Sequence, residues 1–337
     1  MFSIRQIRVI LVPLALAAFA AAAGPASATG HEETVLGPTQ GPGALSSARV
    51  TGIGGRSGRL RLAIADPGDR LAVGVEGIPA EGVRYRWEPL ETGRSPEIRG
   101  ETDITHGIEA PGTPGAWRLR LSTGESSAVI ESFTLVTRIS ASEKRSGFLN
   151  GYHIGRYPAL GRDASDPYAP PEGFIEVTEA MRMVPVSDHL HLGDFLTKDQ
   201  RDVWPKYLVL DLRLIDKLEL VLQELRGMGV WASQLTVMSG YRTPQYNGPG
   251  GDGRASLSRH TYGDAADVWI DGSGNGHLDD LNGDGRIDEE DVRLILRAVE
   301  RVEARYPELV GGAGVYRAAP HRGPFIHIDT RGHPSRW

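Results

Sequence analysis

The sequence predicts an α+β fold, an antiparallel sheet with helices, preceded by a small β-sandwich. Three patterns point there. Apolar and polar residues alternate through residues 49–140, with Gly, Pro and Asp in the gaps, as half-buried strands require. Ile215, Leu218, Leu222 and Leu225 recur at intervals of three and four, as do Val292, Ile295, Leu296, Val299 and Val302, which is the spacing of one helix face. Short apolar runs of strand length stand around these helices: Leu235–Met238, Val268–Ile270 and Phe325–Asp329.

Residues 1–28 have the form of a secretory signal. Arg5 and Arg8 supply the positive end, an apolar run extends from Val9 to Ala23, and Ala26-Ser27-Ala28 gives a small-x-small cleavage pattern. The run is short and Ala-rich for a spanning helix, and no later segment is apolar enough to cross a bilayer. The expected product is periplasmic or secreted, without stable membrane insertion after cleavage. Residues 29–48, rich in Gly, Pro and Thr and without periodicity, are a flexible leader.

In residues 49–140, Leu60, Leu62 and Ile64 alternate with polar neighbours. So do Leu71, Val73 and Val75, then Val83, Tyr85 and Trp87, then Trp117, Leu119 and Leu121. Pro114-Gly115-Ala116-Trp117-Arg118-Leu119 resembles the late strands of an immunoglobulin-like module. A spacer or packing role fits this region; a module that binds a polymer or a partner is the alternative.

Residues 141–337 form the second domain. Residues 141–205 are a mixed connection of short apolar pieces and turns. His189 and His191 would share a face on a strand, yet they fit better as polar groups on the approach to a helix. That helix extends from Lys206 to Arg226, and Gly227 and Gly229 end it. The strand Leu235–Met238 enters a turn at Ser239-Gly240-Tyr241-Arg242-Thr243-Pro244, and a Gly-rich loop follows over 245–257.

Bulk composition excludes several chemistries. A formal net charge of -6 argues against a general nucleic-acid binder. With no cysteine, a disulfide, a thiolate nucleophile, a cysteine-zinc site and a cysteine-linked lipid anchor are all ruled out.

The chemistry-bearing residues lie in the second domain. Ser258-Arg259-His260-Thr261-Tyr262-Gly263-Asp264-Ala265-Ala266-Asp267 places an imidazole seven residues before a carboxylate, and His327 adds a second imidazole on the apolar run Phe325–Asp329. Two imidazoles and a carboxylate are a competent three-ligand set for zinc, leaving a fourth position for water. A second signature spans Asp280–Asp291. Asp280, Asn282, Asp284, Asp288 and Asp291 supply side-chain oxygens at calcium-loop positions, Arg286 supplies its backbone carbonyl, Gly285 permits the turn, and Ile287 packs behind. Asp291 stands where an EF-hand has a bidentate Glu; that variation resembles dockerin-type loops. Bound calcium would stiffen the zinc-site scaffold.

Ser258, His260, Asp267 and His327, with the Ser239–Arg242 turn and the closing run His327–Gly332 before Trp337, resemble the zinc D-Ala-D-Ala carboxypeptidase family. That fold group also contains D-Ala-D-Ala dipeptidases, Hedgehog signalling domains and lysostaphin-type enzymes. The likeness covers residues 185–337 and not 49–140. It implies a zinc peptidase acting on peptidoglycan stem peptides or cross-links, with His260, Asp267 and His327 as zinc ligands. By the same likeness Arg242 meets a substrate carboxylate or a developing oxyanion, and Tyr241 and Ser258 line the peptide groove. Pro324 occupies the position where many members carry an acidic general base. Asp329, on the same strand face as His327, and His321 are the candidate replacements; Asp329 serves either as base or as an orienting group. The missing acid keeps an alternative open, a cell-wall-binding protein that retains the zinc fold without catalysis.

Overall fold

The computed structural model describes residues 49–51, 58–71, 74–76, 82–91, 104, 107–124, 126–158, 166–249 and 255–337. The signal, the leader, Val73 and part of the loop 245–257 lie outside the described residues.

The first region is built on a four-stranded sheet. Its strands are β1 (Arg61–Ala65), β2 (Arg84–Pro89), β3 (Gly115–Thr123) and β4 (Ser126–Thr137), in the order β1-β4-β3-β2. Two small pairs, residues 49–51 with 74–76 and 70–71 with 108–109, accompany it. The alternating runs of this region suit an antiparallel sandwich, but β1 joins β4 in parallel. Alternation explains how this sheet is used. Ala63, Ala65, Trp117 and Leu135 face a core with Trp87 and Phe133, while Leu62, Ala116 and Val136 face the opposite way, into the core of the second region. One end of the sheet is therefore buried on both faces, while Arg84, Arg86 and Arg118 leave the rest of that second face exposed, and the first region is not a free-standing sandwich. Asp188 adds a polar tie, accepting from the backbone N–H groups of Arg59 and Leu60, both at 2.9 Å.

One residue past β4 the chain changes sheets. β5 (Ile139–Ser140) pairs with β6 (Gly173–Val177), which pairs with β7 (Lys206–Leu208). The helix expected from Lys206 thus begins later, as α1 (Leu212–Gly227), because residues 206–208 are taken by β7. Asp211 caps α1 by accepting from Arg213 N at 2.8 Å, and its own N–H reaches Gly263 O at 2.9 Å. Ile215, Leu218, Leu222 and Leu225 are buried, as their spacing requires.

The last sheet carries the site. Its strands are β8 (Leu235–Ser239), β9 (Ala265–Ile270), β10 (Gly312–Tyr316), β11 (Phe325–Asp329) and β12 (Ser335–Arg336), in the order β8-β9-β11-β10-β12. All pairings are antiparallel except β10 with β12. α2 (Glu289–Arg305) covers it together with α1, burying Val292, Ile295, Val299 and Val302. This α+β arrangement agrees with the predicted class. No helix among the described residues is long and apolar enough to cross a membrane.

A buried ion pair binds these layers. Lys217 on α1, fully buried, donates to Glu303 Oε1 on α2 at 2.7 Å and to the Asp329 carbonyl on β11 at 2.6 Å. Burial pushes the Lys217 pKa down, and Glu303 only partly offsets it. Removing one member strands the other away from water. Lys217→Met should cost about 3 kcal/mol of stability, measured by urea unfolding; Glu303 keeps Arg336 and the Gly311 N–H, which holds the loss to that end of the range.

Candidate metal centre

His260 sits on a single turn, Arg259–Tyr262, whose last residue leads into Gly263. Gly263 has φ +75, and a side chain there would collide with the Val209 carbonyl, so only glycine makes this bend against β7's exit. The bend delivers the chain into β9 and fixes Asp267 on the sheet. Register does the rest. Asp267 pairs with Ser239 on one side and with His327 on the other, and His327 pairs with Gly314. Cross-strand partners project from the same face, so four strands present one row beneath His260.

Three donor atoms converge. His260 Nε2, His327 Nδ1 and Asp267 Oδ1 lie 3.0–3.2 Å from one another. All three residues are buried, and they are the one group of three His, Cys, Asp or Glu among the described residues whose donor atoms all lie within 4.8 Å of one another. The outer partners fix which nitrogens carry lone pairs. His260 Nδ1 contacts the Gly240 carbonyl at 2.6 Å, which can only accept, so Nδ1 carries the proton. His327 Nε2 meets Asp329 Oδ2 at 3.1 Å and donates likewise. Both neutral imidazoles therefore turn lone pairs toward the Asp267 oxygen. Three lone pairs facing one point suit a cation, and the donor set fits zinc.

The charges agree. Burial alone would raise Asp267, but His260 and then His327 outweigh it and hold the carboxyl well below its usual range. Burial pushes His260 down, with Asp267 opposing. Burial also pushes His327 down, yet Asp267 and Asp329 overcome it and the net shift is upward.

Arg242 follows the Ser239–Gly240 turn. Its Nη2 donates to Asp267 Oδ2 at 2.6 Å and its Nε to Ser239 Oγ at 2.9 Å. It lines a cavity of about 510 Å³ together with Ser258, His260, Asp267 and His327. Tyr241, expected in the groove, is instead buried with its hydroxyl 2.8 Å from that of Tyr157, and it does not line this cavity. The turn that aims Arg242 at Asp267 carries Tyr241 the other way. His321 is exposed and also off the cavity wall. His189 bonds Glu219 at 2.8 Å, away from any metal group.

Asp329 is fully buried. One oxygen accepts from Gly312 N at 2.7 Å, the other meets His327, and Arg331 Nε lies 2.9 Å from both. Burial alone would raise its pKa; His327 and Arg331 hold it well below the ordinary range. A carboxylate so engaged orients His327; it is not free to take a proton from the cavity. Among the described residues, Asp267 is the carboxylate that lines the cavity.

Sequence reasoning assigned no role to several residues around the site. Arg331 braces Asp329; its position inside the closing run was the only signal. Trp337 lies 5.3 Å from the His327 ring, and Gly314, opposite His327, has no side chain because one would overlap the Trp337 ring. Tyr316 and Phe325 stack at 4.5 Å, and Arg322 lies 4.7 Å over Phe325.

The proposed calcium residues form a self-bonded loop. Asp280 accepts from the N–H groups of Gly283, Asp284 and Gly285; Asn282 from Asp284; and Asp284 from Arg286. Asp288 caps α2 through Glu290 N, and Asp291 accepts from Leu281, Asn282 and Asp288. Ile287, expected to pack behind the loop, is 48% exposed.

Residues 209–289 match the family model described as Peptidase M15. The segment is similar to Peptidase M15 proteins. No curated protein and no solved structure matches the chain. The Peptidase M15 match contains His260, Asp267 and Arg242, and it stops short of His327. The fold returns His327 to the other two. Peptidase M15 proteins are zinc peptidases, and the donor set here is compatible with that metal.

Purified protein should carry one zinc ion, and His260→Ala, Asp267→Ala and His327→Ala should each abolish it, read by elemental analysis. Asp329→Asn should weaken zinc binding by about 10–100-fold, read by chelator competition. Zinc binding needs both imidazoles neutral. Acidification should therefore weaken zinc binding, read by chelator competition at stepped pH.

Proposed function

We propose that the protein is an exported zinc peptidase that hydrolyses peptidoglycan stem peptides or their cross-links. The observation that carries this reading is the convergence of His260, Asp267 and His327 at the floor of a cavity with Arg242 beside them. Bound there, zinc supplies a Lewis acid and an acidified water. The chain's own residues do the rest. Asp329 and the Gly240 carbonyl hold the imidazoles in the productive tautomer. Arg242, anchored through Nε and Nη2, offers a fixed cation to a substrate carboxylate or a developing oxyanion. Arg322 on its aromatic ledge and Arg331 add positive charge to the same wall, which suits an acidic peptide. Residues 1–28 support export to the periplasm or beyond, where this substrate lies.

A second reading has one specific support. Pro324 replaces the acidic position, and Asp329 is engaged with His327 and Arg331. A cell-wall-binding protein that keeps the zinc fold without hydrolysis fits that pattern. Purified muropeptides incubated with the zinc-loaded protein separate the two. The peptidase should yield shorter products that disappear with a zinc chelator and in His260→Ala, and Arg242→Ala should lower turnover by about 10²–10³. Identical profiles with and without chelator, alongside retained binding to sacculi, would favour the non-hydrolytic protein.

We also propose calcium in the loop of Asp280, Asn282, Asp284, Arg286, Asp288 and Asp291, on the oxygen spacing and the Gly285 turn. Since this loop leads directly into α2, which covers the site sheet, calcium should raise the melting temperature without changing zinc content. A melt that does not move on calcium titration rejects it.

A further inference from the structure

Four arginines line the cavity that contains the metal ligands: Arg242, Arg259, Arg322 and Arg331. Three are already bound to carboxylates of the chain. Arg242 holds Asp267 at 2.6 Å, Arg259 holds Asp264 at 3.0 Å, and Arg331 holds Asp329 at 2.9 Å. Arg322 has no carboxylate partner among the described residues. Its Nη1 donates to the Arg317 carbonyl at 3.4 Å, and the nearby acid Glu289 is taken by Arg317 itself at 3.1 Å.

The chain nevertheless holds this cation in place. Ala319 and Arg322 exchange backbone hydrogen bonds of 2.9 and 3.0 Å, which close the hairpin between β10 and β11. At the base of the hairpin Tyr316 and Phe325 are cross-strand partners, and their rings stack with 3° between the planes. The Arg322 guanidinium lies over that stack, 4.7 Å from the centre of the Phe325 ring and 5.7 Å from that of Tyr316. The Tyr316 hydroxyl in turn accepts from Trp337 Nε1 at 2.9 Å, and the Trp337 ring packs on His327. A guanidinium laid on an aromatic face keeps its edge N–H groups for a ligand and loses less freedom on binding than a loose side chain.

The sheet sets how far this cation stands from the chemistry. Phe325 and His327 are two residues apart on β11, line the same cavity and share a strand face, so they are about 7 Å apart along the strand. An extended peptide covers about 3.3–3.6 Å per residue, so two of its residues span the same distance. Arg242 lies on the opposite side of the metal position, beyond β8 and β9.

We propose that Arg322 is a specificity-determining residue, which binds a peptide carboxylate two residues from the bond held at the metal position. The inference rests on the peptidase reading and divides the labour between two arginines. Arg242 serves the carbonyl that is cleaved, and Arg322 reads the more distant carboxylate through its planar pair of N–H donors.

The test uses the full chain and peptides of the form acetyl-X-D-Ala-D-Ala-Gly, with X as D-Glu or D-Gln and the Gly end as carboxylate or carboxamide. These place a carboxylate two residues before or two residues after the D-Ala–D-Ala bond. Acetyl-D-Ala-D-Ala, as acid and as amide, is the control, with its carboxylate only one residue past the bond. Calorimetric titration of the zinc-free protein should favour one of the long acids over its matching amide by about tenfold. In Arg322→Gln that preference should fall to within about twofold. Arg322→Lys, which keeps the charge without the planar fork, should retain part of it, and the control pair should respond alike in all three proteins. The Arg322 side chain is exposed and the hairpin closes through backbone groups, so both variants should melt with the wild type. With zinc, product masses should place the cut two residues from the preferred carboxylate. A wild type that binds the long acids and amides equally, a preference that survives Arg322→Gln, a control pair that changes with Arg322, or a cut at another spacing overturns the inference. If the zinc-loaded wild type cleaves none of the peptides, the peptidase reading fails, and the titration still decides the role of Arg322.

Discussion

The antiparallel register that sets Asp267 opposite His327 is the constraint on which the rest depends. Side chains alternate faces along a strand, so a slip of one residue between β9 and β11 would send one ligand to the far face of the sheet. The row Ser239, Asp267, His327, Gly314 uses four adjacent strands. Each member has a distinct duty. Ser239 steadies Arg242, Asp267 and His327 face the metal position, and Gly314 makes room for Trp337. His260 enters from above this row on a turn that the left-handed Gly263 terminates.

Behind the row, the structure is stiff where the chemistry needs it. Lys217 reaches from α1 to the Asp329 backbone, Arg331 clamps the Asp329 side chain, and Asp329 faces His327. A ligand imidazole is thereby tied to both covering helices through Lys217 and Glu303. The first region adds to this scaffold, because its sheet buries Leu62, Ala116 and Val136 in the core that underlies the site.

Much of the site was legible in the sequence because its residues announce themselves chemically. His260, Asp267 and His327 are side chains with few reasons to be buried together, and alternation around His327 gave the strand. The helical spacing of Ile215 to Leu225 and of Val292 to Val302 was equally direct. Long-range partners were not. The start of α1 was misread because Lys206–Leu208 forms a strand only through pairing with residues 173–177, which no local pattern announces. β4 and the Gly-rich β10 were missed for the same reason. The family likeness places Tyr241 in the groove beside Arg242, but adjacent residues leave a turn in different directions. Asp329 could not be placed between base and orienting group until Arg331 and Gly312 were seen to occupy its oxygens.

The most direct test is anomalous diffraction at the zinc edge on crystals of the zinc-loaded full chain. A single strong peak is expected, bonded to His260 Nε2, His327 Nδ1 and an Asp267 oxygen, with Asp329 outside the coordination sphere on His327 Nε2. A peak bonded through His327 Nε2, a peak that recruits Asp329 as a ligand, or a peak elsewhere in the molecule would contradict it.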